Sequence, residues 1–166
     1  MKSIALNQLK QTHNAGCQLL RQFNQKPENV EVAIEVEKHR WFWKPKQPKL
    51  LLVAESHVFT TERELKFQLD ESKIRSFIKP EAPLPPNHFV RFVYCLGYGE
   101  SEFLIPETPQ ISNMGTPPYW DIFGRVTFRG PQPRRENGSD FKDRVRWKLE
   151  TLSRIYAVEK EPLIGD

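Results

Sequence analysis

A glutamate, a serine and a histidine follow one another at positions 55 to 57, directly after the apolar run of residues 50–54. A short, continuous apolar run is typical of a strand buried on both faces, as in the parallel sheet of an α/β protein. We therefore predict a strand over residues 49–55. Open α/β sheets bind their ligands at the carboxyl ends of the strands. A carboxylate, a hydroxyl and an imidazole at such an end predict a functional site.

Glu55 and His57 are the candidate catalytic residues of this site. A carboxylate beside an apolar strand end can have its pKa tuned by burial, and it can then act as a base or hold a water molecule. A histidine in the following loop can donate a hydrogen bond to an anion or stabilise an oxyanion. Structural roles stay open, because Glu55 could instead cap a helix or pair with an arginine, and His57 could bond to neighbouring backbone.

Ser56, Thr60 and Thr61 place hydroxyl groups around the start of a short predicted helix, and they are candidate substrate-binding residues. The free N–H groups and the dipole of a helix N-terminus attract phosphate. Thr61 and Glu64 also have the spacing of a capping box. Simple capping of the helix is therefore an equal explanation for Thr61.

The second half of the chain is basic and contains aromatic residues between its cations. The candidate nucleic-acid-binding residues are Arg125, Arg129, Arg134 and Arg135, and the interleaved aromatic residues are Trp120, Phe123, Phe128 and Trp147. Cations suit phosphate contacts, and aromatic rings suit base stacking. A solvated helix face above a few buried aromatic rings explains the same pattern.

Composition sets the general class of the protein. A chain of 166 residues is long enough for one domain with its own core, and the net charge of +4 permits a polyanionic partner without requiring one. Its two cysteines predict neither a disulfide framework nor a metal site. Glu55, His57 and His88 match no recurring metal-ligand spacing, so we expect no metal and no cofactor. Without a signal segment or a membrane span, we expect a cytoplasmic protein.

The remaining strands are predicted from alternation and from β-forming residues. Residues 30–36 alternate apolar with mostly acidic side chains, which favours a half-exposed strand, although Val30 and Ile34 would also share a helix face. Residues 89–96 are largely apolar and rich in β-forming types, which predicts a second strand.

Helices are predicted at both ends of the chain. Helical spacing of apolar residues predicts an amphipathic helix over about residues 3–24, and a brief helix is expected over residues 119–126. A last helix begins near Asp140. Since a wound α/β sheet usually needs a further strand after this helix, we expect the natural continuation to lie beyond residue 166.

Residues 53–62 resemble the first motif of the uracil-DNA glycosylase-like superfamily, in which a Gly-Glu-Ala-Pro-Gly type segment ends the first central strand. Ala54, Glu55, Ser56 and His57 stand in that place here, with Glu55 at the acidic position. Ala54 replaces the usual glycine, and Ser-His replaces Ala-Pro. The resemblance extends over roughly residues 40–155. It implies one domain, residues 1–166, with a core of about residues 40–156 that folds as a three-layer α/β/α sandwich with a short, mainly parallel central sheet.

The resemblance also implies a function. In active members of the superfamily a base is flipped out of DNA into a pocket, and an acidic residue orients water or stabilises the cationic sugar. Glu55 matches this residue, and Tyr94 is a candidate for stacking on the base. The family's second motif, a C-terminal histidine-containing loop, has no counterpart in this sequence. We therefore expect a glycosylase-like domain directed at DNA or a nucleotide with at most weak activity, or a non-catalytic module that binds nucleic acid or a small molecule.

Overall fold

The computed structural model describes residues 3–44, 59–105, 117–127 and 129–155. Its longer helices are α1 (Ser3–Gln22), α2 (Val30–Trp43), α4 (Pro117–Val126) and α5 (Phe141–Ile155), and α3 (Glu71–Arg75) is a short helix. Two short strands, β1 (Gln68–Leu69) and β2 (Leu104–Ile105), pair antiparallel, with Gln68 opposite Ile105 and Leu69 opposite Leu104. Three 3-10 turns, Glu64–Lys66, Ser101–Phe103 and Arg135–Asn137, complete the described elements.

The predicted fold class is wrong. The described residues are mostly helical, and their strands form one two-stranded antiparallel sheet instead of the parallel sheet of an α/β/α sandwich. The sandwich was implied by the family resemblance, and three apolar segments were predicted as strands. Residues 30–36 and 89–96 are not strands in the structure, and the predicted strand 49–55 lies outside the described residues.

Residues 30–36 form the first half of α2, so the prediction of a strand is wrong there. The side chain of Asn29 accepts a hydrogen bond from the backbone of Glu31, which caps the helix. Val32, Val36, His39 and Trp43 are the buried residues of α2, and they recur at three- and four-residue spacing. A helix buries all four on one face, whereas a strand of residues 30–36 would reach neither His39 nor Trp43.

Residues 89–96 form a series of tight turns. The backbone N–H of Cys95 donates to the carbonyl of Phe92 at 2.8 Å, and that of Tyr98 donates to the carbonyl of Cys95 at 2.9 Å. The segment is rich in apolar residues because it is buried, with Phe89, Val90 and Cys95 each at most 1% exposed. Burial from all sides gives a continuous apolar run in turns as well as in strands, so this pattern could not distinguish between them.

The predicted helices at both ends are confirmed. α1 ends where Asn24 adopts a positive φ of 54°, a conformation that often closes helices. In α5 the backbone N–H of Asp143 donates to the carboxylate of Asp140 at 2.8 Å, which caps the helix as its sequence indicates. Among the described helices none is both long and apolar enough to cross a membrane.

One hydrophobic cluster joins these elements. It contains residues from α2, α3, the turns of residues 89–98, α4 and α5, and its largest fully buried side chains include Trp43, Trp120, Phe89, Phe103 and Phe123. α1 packs on α2 at the edge of this cluster. The segment of residues 88–94 contacts α2 through the His39–His88 and Trp43–Tyr94 hydrogen bonds, and Tyr94 stacks on Phe123 of α4.

His39 makes the stability of this core sensitive to acid. Burial lowers the pKa of His39 from 6.5 to about 4. The hydrogen bond to the His88 carbonyl and the charge of Glu35 oppose this shift, whereas the charges of His88 and Lys38 add to it. The ring Nε2–H donates to the carbonyl of His88 at 2.9 Å. Between pH 6.5 and 4 the unfolded chain therefore binds a proton that the folded chain does not.

We expect this histidine to lower the free energy of unfolding as the pH falls from 6.5 to 4, by about 3 kcal/mol at the acid end. The His39→Gln variant keeps a donor for the carbonyl but has no titrating ring. Urea unfolding at several pH values should give a flatter curve for the variant in this window. Parallel curves for the two proteins would contradict the assignment.

Candidate functional site

The predicted catalytic pair and one predicted substrate-binding residue lie outside the described residues. These are Glu55, His57 and Ser56. The described chain resumes at Phe59, directly before Thr60 and Thr61. The roles assigned to Glu55, His57 and Ser56 stay predictions.

Thr61 and Glu64 form the capping box that their spacing predicts. The backbone N–H and the hydroxyl of Thr61 donate to Glu64 Oε2 at 2.9 and 3.0 Å, and the backbone N–H of Glu64 donates to Thr61 Oγ1 at 3.2 Å. The box opens a single 3-10 turn, Glu64–Lys66. In this structure the hydroxyl and the backbone N–H of Thr61 are used within the protein, which agrees with the capping interpretation.

Thr60 is also engaged with the protein. Its side chain is buried at 1% exposure, and its hydroxyl accepts a hydrogen bond from the backbone N–H of Arg91 at 2.8 Å. Its backbone N–H donates to Glu28 Oε1 at 3.3 Å. Thr60 therefore links the segment after residue 58 to the loop before α2 and to the central turns.

Arg91 and Glu64 form an ion pair beside these threonines. The Arg91 Nε–H donates to Glu64 Oε1 at 2.8 Å, and the Nη2 group contacts the same oxygen. Burial alone would raise the pKa of Glu64, but the hydrogen bonds from Arg91 and Thr61 outweigh it and hold the pKa below its usual value. Glu64 is therefore an ionised acceptor at neutral pH, with its oxygens directed at Arg91 and Thr61.

Tyr94, the predicted stacking residue, is half-buried in an aromatic cluster. Its ring stacks on Phe123 with centroids 6.0 Å apart and meets Phe92 edge-on at 4.8 Å. Burial raises the pKa of Tyr94 to about 12. Its described contacts are those of a partly buried residue that packs against the core.

The predicted nucleic-acid-binding arginines fall into three groups. Arg129 pairs with Glu150, and Arg134 pairs with Asp121 through Nη2 at 2.6 Å. The side chain of Arg135 is not described. Arg125 is exposed and forms no ion pair with any described residue.

The aromatic residues of this half are buried. Trp120, Phe123 and Trp147 are at most 5% exposed, and the rings of the two tryptophans pack together with centroids 6.0 Å apart. Phe128 lies outside the described residues. The three described rings cannot stack on bases without leaving the core, which agrees with the interpretation of a solvated basic face above buried rings.

A buried network of charged side chains joins α5 to the 3-10 turn Ser101–Phe103 and the residue before it. Arg144 Nε is 3.1 Å from both carboxylate oxygens of Glu100, and Lys148 Nζ is 3.3 Å from Glu100 Oε1. Arg144 also donates to Glu102 Oε1 at 3.2 Å and to the carbonyl of Ser139 at 2.6 Å. The side chains of Glu100, Arg144 and Lys148 are between 3% and 5% exposed.

Lys148 is the residue of this network whose pKa is clearly shifted. Burial lowers its pKa and exceeds the opposing effect of Glu100. A buried lysine with a lowered pKa is found at catalytic sites, but also in structural ion-pair networks. The ammonium group also lies 5.5 Å from the centre of the Trp120 ring. With a carboxylate and an aromatic ring around it, Lys148 joins α5 to the core.

The sequence predicts that the two cations of this network lie together, but it does not predict their acidic partner. Arg144 and Lys148 are four residues apart on a predicted helix, so they share a face. Glu100 lies 44 and 48 residues away from them. No local pattern marks it as their partner.

Three exposed cations lie on α4 and α5, the two helices that pack together at Gly124. Gly124 is the contact point, because a Cβ atom there would overlap the carbonyl oxygen of Gly130 and lie 2.7 Å from Trp147 Cζ2. Arg125 and Arg146 are the chain neighbours of Gly124 and Trp147, and both are exposed. Lys142 is exposed one helical turn before Arg146. We call Arg125, Lys142 and Arg146 the exposed basic surface.

Comparison of the chain with protein-family models, with curated proteins and with solved structures finds no match. In the part of the chain that the structure describes, no group of three or more His, Cys, Asp or Glu side chains is placed to hold a metal ion. The geometry of the described residues is therefore the basis for a functional proposal.

Proposed function

We propose that this protein binds nucleic acid through its phosphate backbone, with the exposed basic surface as the contact. Residues 117–155 contain nine Lys and Arg residues against five Asp and Glu residues, a surplus of four that equals the net charge of the whole chain. The positive charge of the protein is thus concentrated in the segment that contains α4 and α5. Concentrated positive charge favours polyanionic partners.

The pairing of the cations is the observation that carries the proposal. Arg129, Arg134, Arg144 and Lys148 are neutralised by carboxylates, whereas the exposed basic surface forms no ion pair within the described residues. Lys142 and Arg146 are four residues apart on one face of α5, and like charges at this spacing oppose the helix. A row of phosphates would remove this repulsion.

Binding of this kind would not depend on base sequence. The described tryptophans of this half are buried, so the proposed contacts are those of cations with phosphates, which carry no base information. The proposal is one of binding and not of base excision, since the sandwich implied by the glycosylase resemblance is contradicted. The resemblance at Glu55 stays a prediction.

The salt dependence of binding tests the proposal. With three cations at the interface, the slope of log K against log salt concentration for duplex DNA should be roughly −2 to −3. Changing Arg125, Lys142 or Arg146 to Gln should each make the slope shallower by about 1. Fluorescence anisotropy with a labelled duplex between low and moderate salt measures both quantities.

Lys38→Gln and Arg40→Gln are matched controls. Both cations are exposed, but they lie on α2 and pair with Glu35 at 2.6 Å and Glu37 at 2.8 Å. We expect these variants to keep the slope of the wild type. The proposed surface would be refuted if the control variants changed the slope as much as the variants of the exposed basic surface do. It would also be refuted if the protein did not bind DNA at low salt.

A uracil-containing duplex, measured beside its thymine counterpart, separates binding from glycosylase activity. Equal affinity without base release agrees with the proposed binding. Base release that is lost in Glu55→Gln would instead support the glycosylase interpretation.

A further inference from the structure

The dipeptide Asn137-Gly138 lies in the loop that leads into α5. Asn137 is the last residue of the 3-10 turn Arg135–Asn137, Gly138 follows it, and both are exposed. Asparagine is one of the chemically labile residue types, because the backbone nitrogen of the next residue can attack its side-chain amide. Of the seven asparagines in the sequence, Asn137 is the one that a glycine follows.

Gly138 leaves room for this attack. It has no side chain, its φ is positive at 77°, and a Cβ atom built on it would meet no atom within 4 Å. A glycine also adopts more backbone conformations than any other residue. A single exposed 3-10 turn is a part of a structure that opens locally at low cost. The nitrogen of Gly138 can therefore approach Cγ of Asn137.

The other described asparagines lie in less favourable places. Asn14 lies inside α1, where the helix fixes the backbone on both sides of it. Asn24 precedes Gln25, whose N–H donates to the carbonyl of Leu20 at 2.9 Å. The side chain of Asn29 caps α2 by accepting from the backbone N–H of Glu31 at 2.9 Å. Each of these asparagines is also followed by a residue with a side chain, which hinders the attacking nitrogen.

We propose that Asn137-Gly138 is a modification site at which the asparagine deamidates, with water as the co-reactant. The Gly138 nitrogen attacks Asn137 Cγ, and a carbon–nitrogen bond forms. The bond from Cγ to the side-chain nitrogen breaks, and the NH2 group leaves as ammonia with the proton of the Gly138 amide. Water then opens the cyclic imide at either carbonyl. Opening at Cγ gives aspartate, and opening at the backbone carbonyl gives isoaspartate.

The two products differ in their effect on the loop. Isoaspartate lengthens the backbone by one carbon atom between residues 137 and 138, whereas aspartate leaves the backbone unchanged. The loop is tightly closed, because the N–H groups of Asn137 and Ser139 both donate to the carbonyl of Arg134, at 3.1 and 3.3 Å. The Ser139 carbonyl also accepts from Arg144 Nη1 at 2.6 Å. The isoaspartyl form should therefore lose contacts that hold the start of α5.

Incubation of the folded full-length chain at mildly alkaline pH tests the proposal. Peptide mapping by mass spectrometry should find a gain of one mass unit at Asn137 before any other asparagine. The rate should rise with pH, because the attacking amide must lose its proton. Asn137→Gln should remove this product, since a longer side chain has to close a larger ring. Asn14→Gln, an exposed change on α1, is the matched control and should leave the rate at Asn137 unchanged.

Urea unfolding of the separated products tests the effect on the loop. Asn137→Asp has the charge of the product without the extra backbone carbon, and it should unfold at the same urea concentration as the wild type. The purified isoaspartyl form should unfold at a lower concentration. Equal unfolding of the isoaspartyl and aspartyl forms would overturn the assigned effect. No gain of mass at Asn137, or an earlier gain at another asparagine, would overturn the site itself. Neither measurement depends on nucleic-acid binding.

Discussion

Glu100→Gln is expected to lower the free energy of unfolding by about 3–5 kcal/mol, the usual cost of removing one partner from a buried ion pair. The carboxylate of Glu100 is the acceptor for both Arg144 and Lys148. Its loss leaves two buried cations, with the partly buried Glu102 as the remaining described carboxylate beside Arg144. Such a loss is a large part of the total stability of an ordinary domain, about 5–15 kcal/mol.

Guanidinium or urea unfolding measures this loss, and Glu37→Gln is the matched control. Glu37 pairs with Arg40, which is 55% exposed in its side chain, and exposed pairs contribute less than about 1 kcal/mol. A loss for Glu100→Gln that stays within 1 kcal/mol of the control would show that the buried pair contributes little.

A second variant separates loss of charge balance from loss of packing. The triple change Glu100→Leu, Arg144→Met and Lys148→Met replaces the charges by apolar groups of similar size. Replacing a complete buried network in this way is often neutral or stabilising. We therefore expect the triple variant to have a larger free energy of unfolding than Glu100→Gln. A smaller free energy of unfolding for the triple variant would indicate that these side chains stabilise the protein mainly by packing.

Trp43→Ala is expected to cost about 3–5 kcal/mol, the range for deleting a large buried aromatic side chain. Trp43 is 1% exposed, and its Nε1–H donates to the carbonyl of Tyr94 at 3.0 Å. Its ring also meets Phe42 edge-on at 4.7 Å. The change would remove both the packing and the hydrogen bond that fix the end of α2 to the central turns.

Trp41→Ala on the same helix is a close control. Trp41 is 51% exposed, and its ring lies 4.3 Å from Lys44 Nζ, a contact worth about 0.5–1 kcal/mol at an exposed site. Thermal and denaturant unfolding should therefore separate the two tryptophans by several kcal/mol. Trp43→Phe should fall between them, because it keeps an aromatic ring and loses the donor. Similar losses for Trp41→Ala and Trp43→Ala would contradict the described core.

The sequence predicted the local parts of the candidate sites well. The Thr61–Glu64 capping box formed as its spacing indicates. α1 and α5 lie where apolar periodicity and capping residues place them, and α4 begins at the two prolines that predicted it. These features depend on residues within about four positions of each other. Their positions along the chain can therefore be predicted from local sequence.

The partners of the charged residues were not predictable. Arg129, Arg134 and Arg144 have similar surroundings in the sequence, but the structure pairs them with Glu150, Asp121 and Glu100. The difference between an exposed and a neutralised cation arises from contacts 13 to 44 residues apart. Of the four predicted arginines, Arg129 and Arg134 are paired, Arg125 is exposed, and the side chain of Arg135 is not described.

The sequence by itself determined where the terminal helices form, how they are capped, and that the second half carries the positive charge. Only the tertiary structure decided whether the apolar segments 30–36 and 89–96 are strands, turns or helix. An apolar run records that a segment is buried but not the elements that bury it. In residues 30–36 the buried residues continue at helical spacing to His39 and Trp43, and residues 89–96 are buried in tight turns. At these two segments the prediction of buried apolar residues was correct and the prediction of strands was wrong.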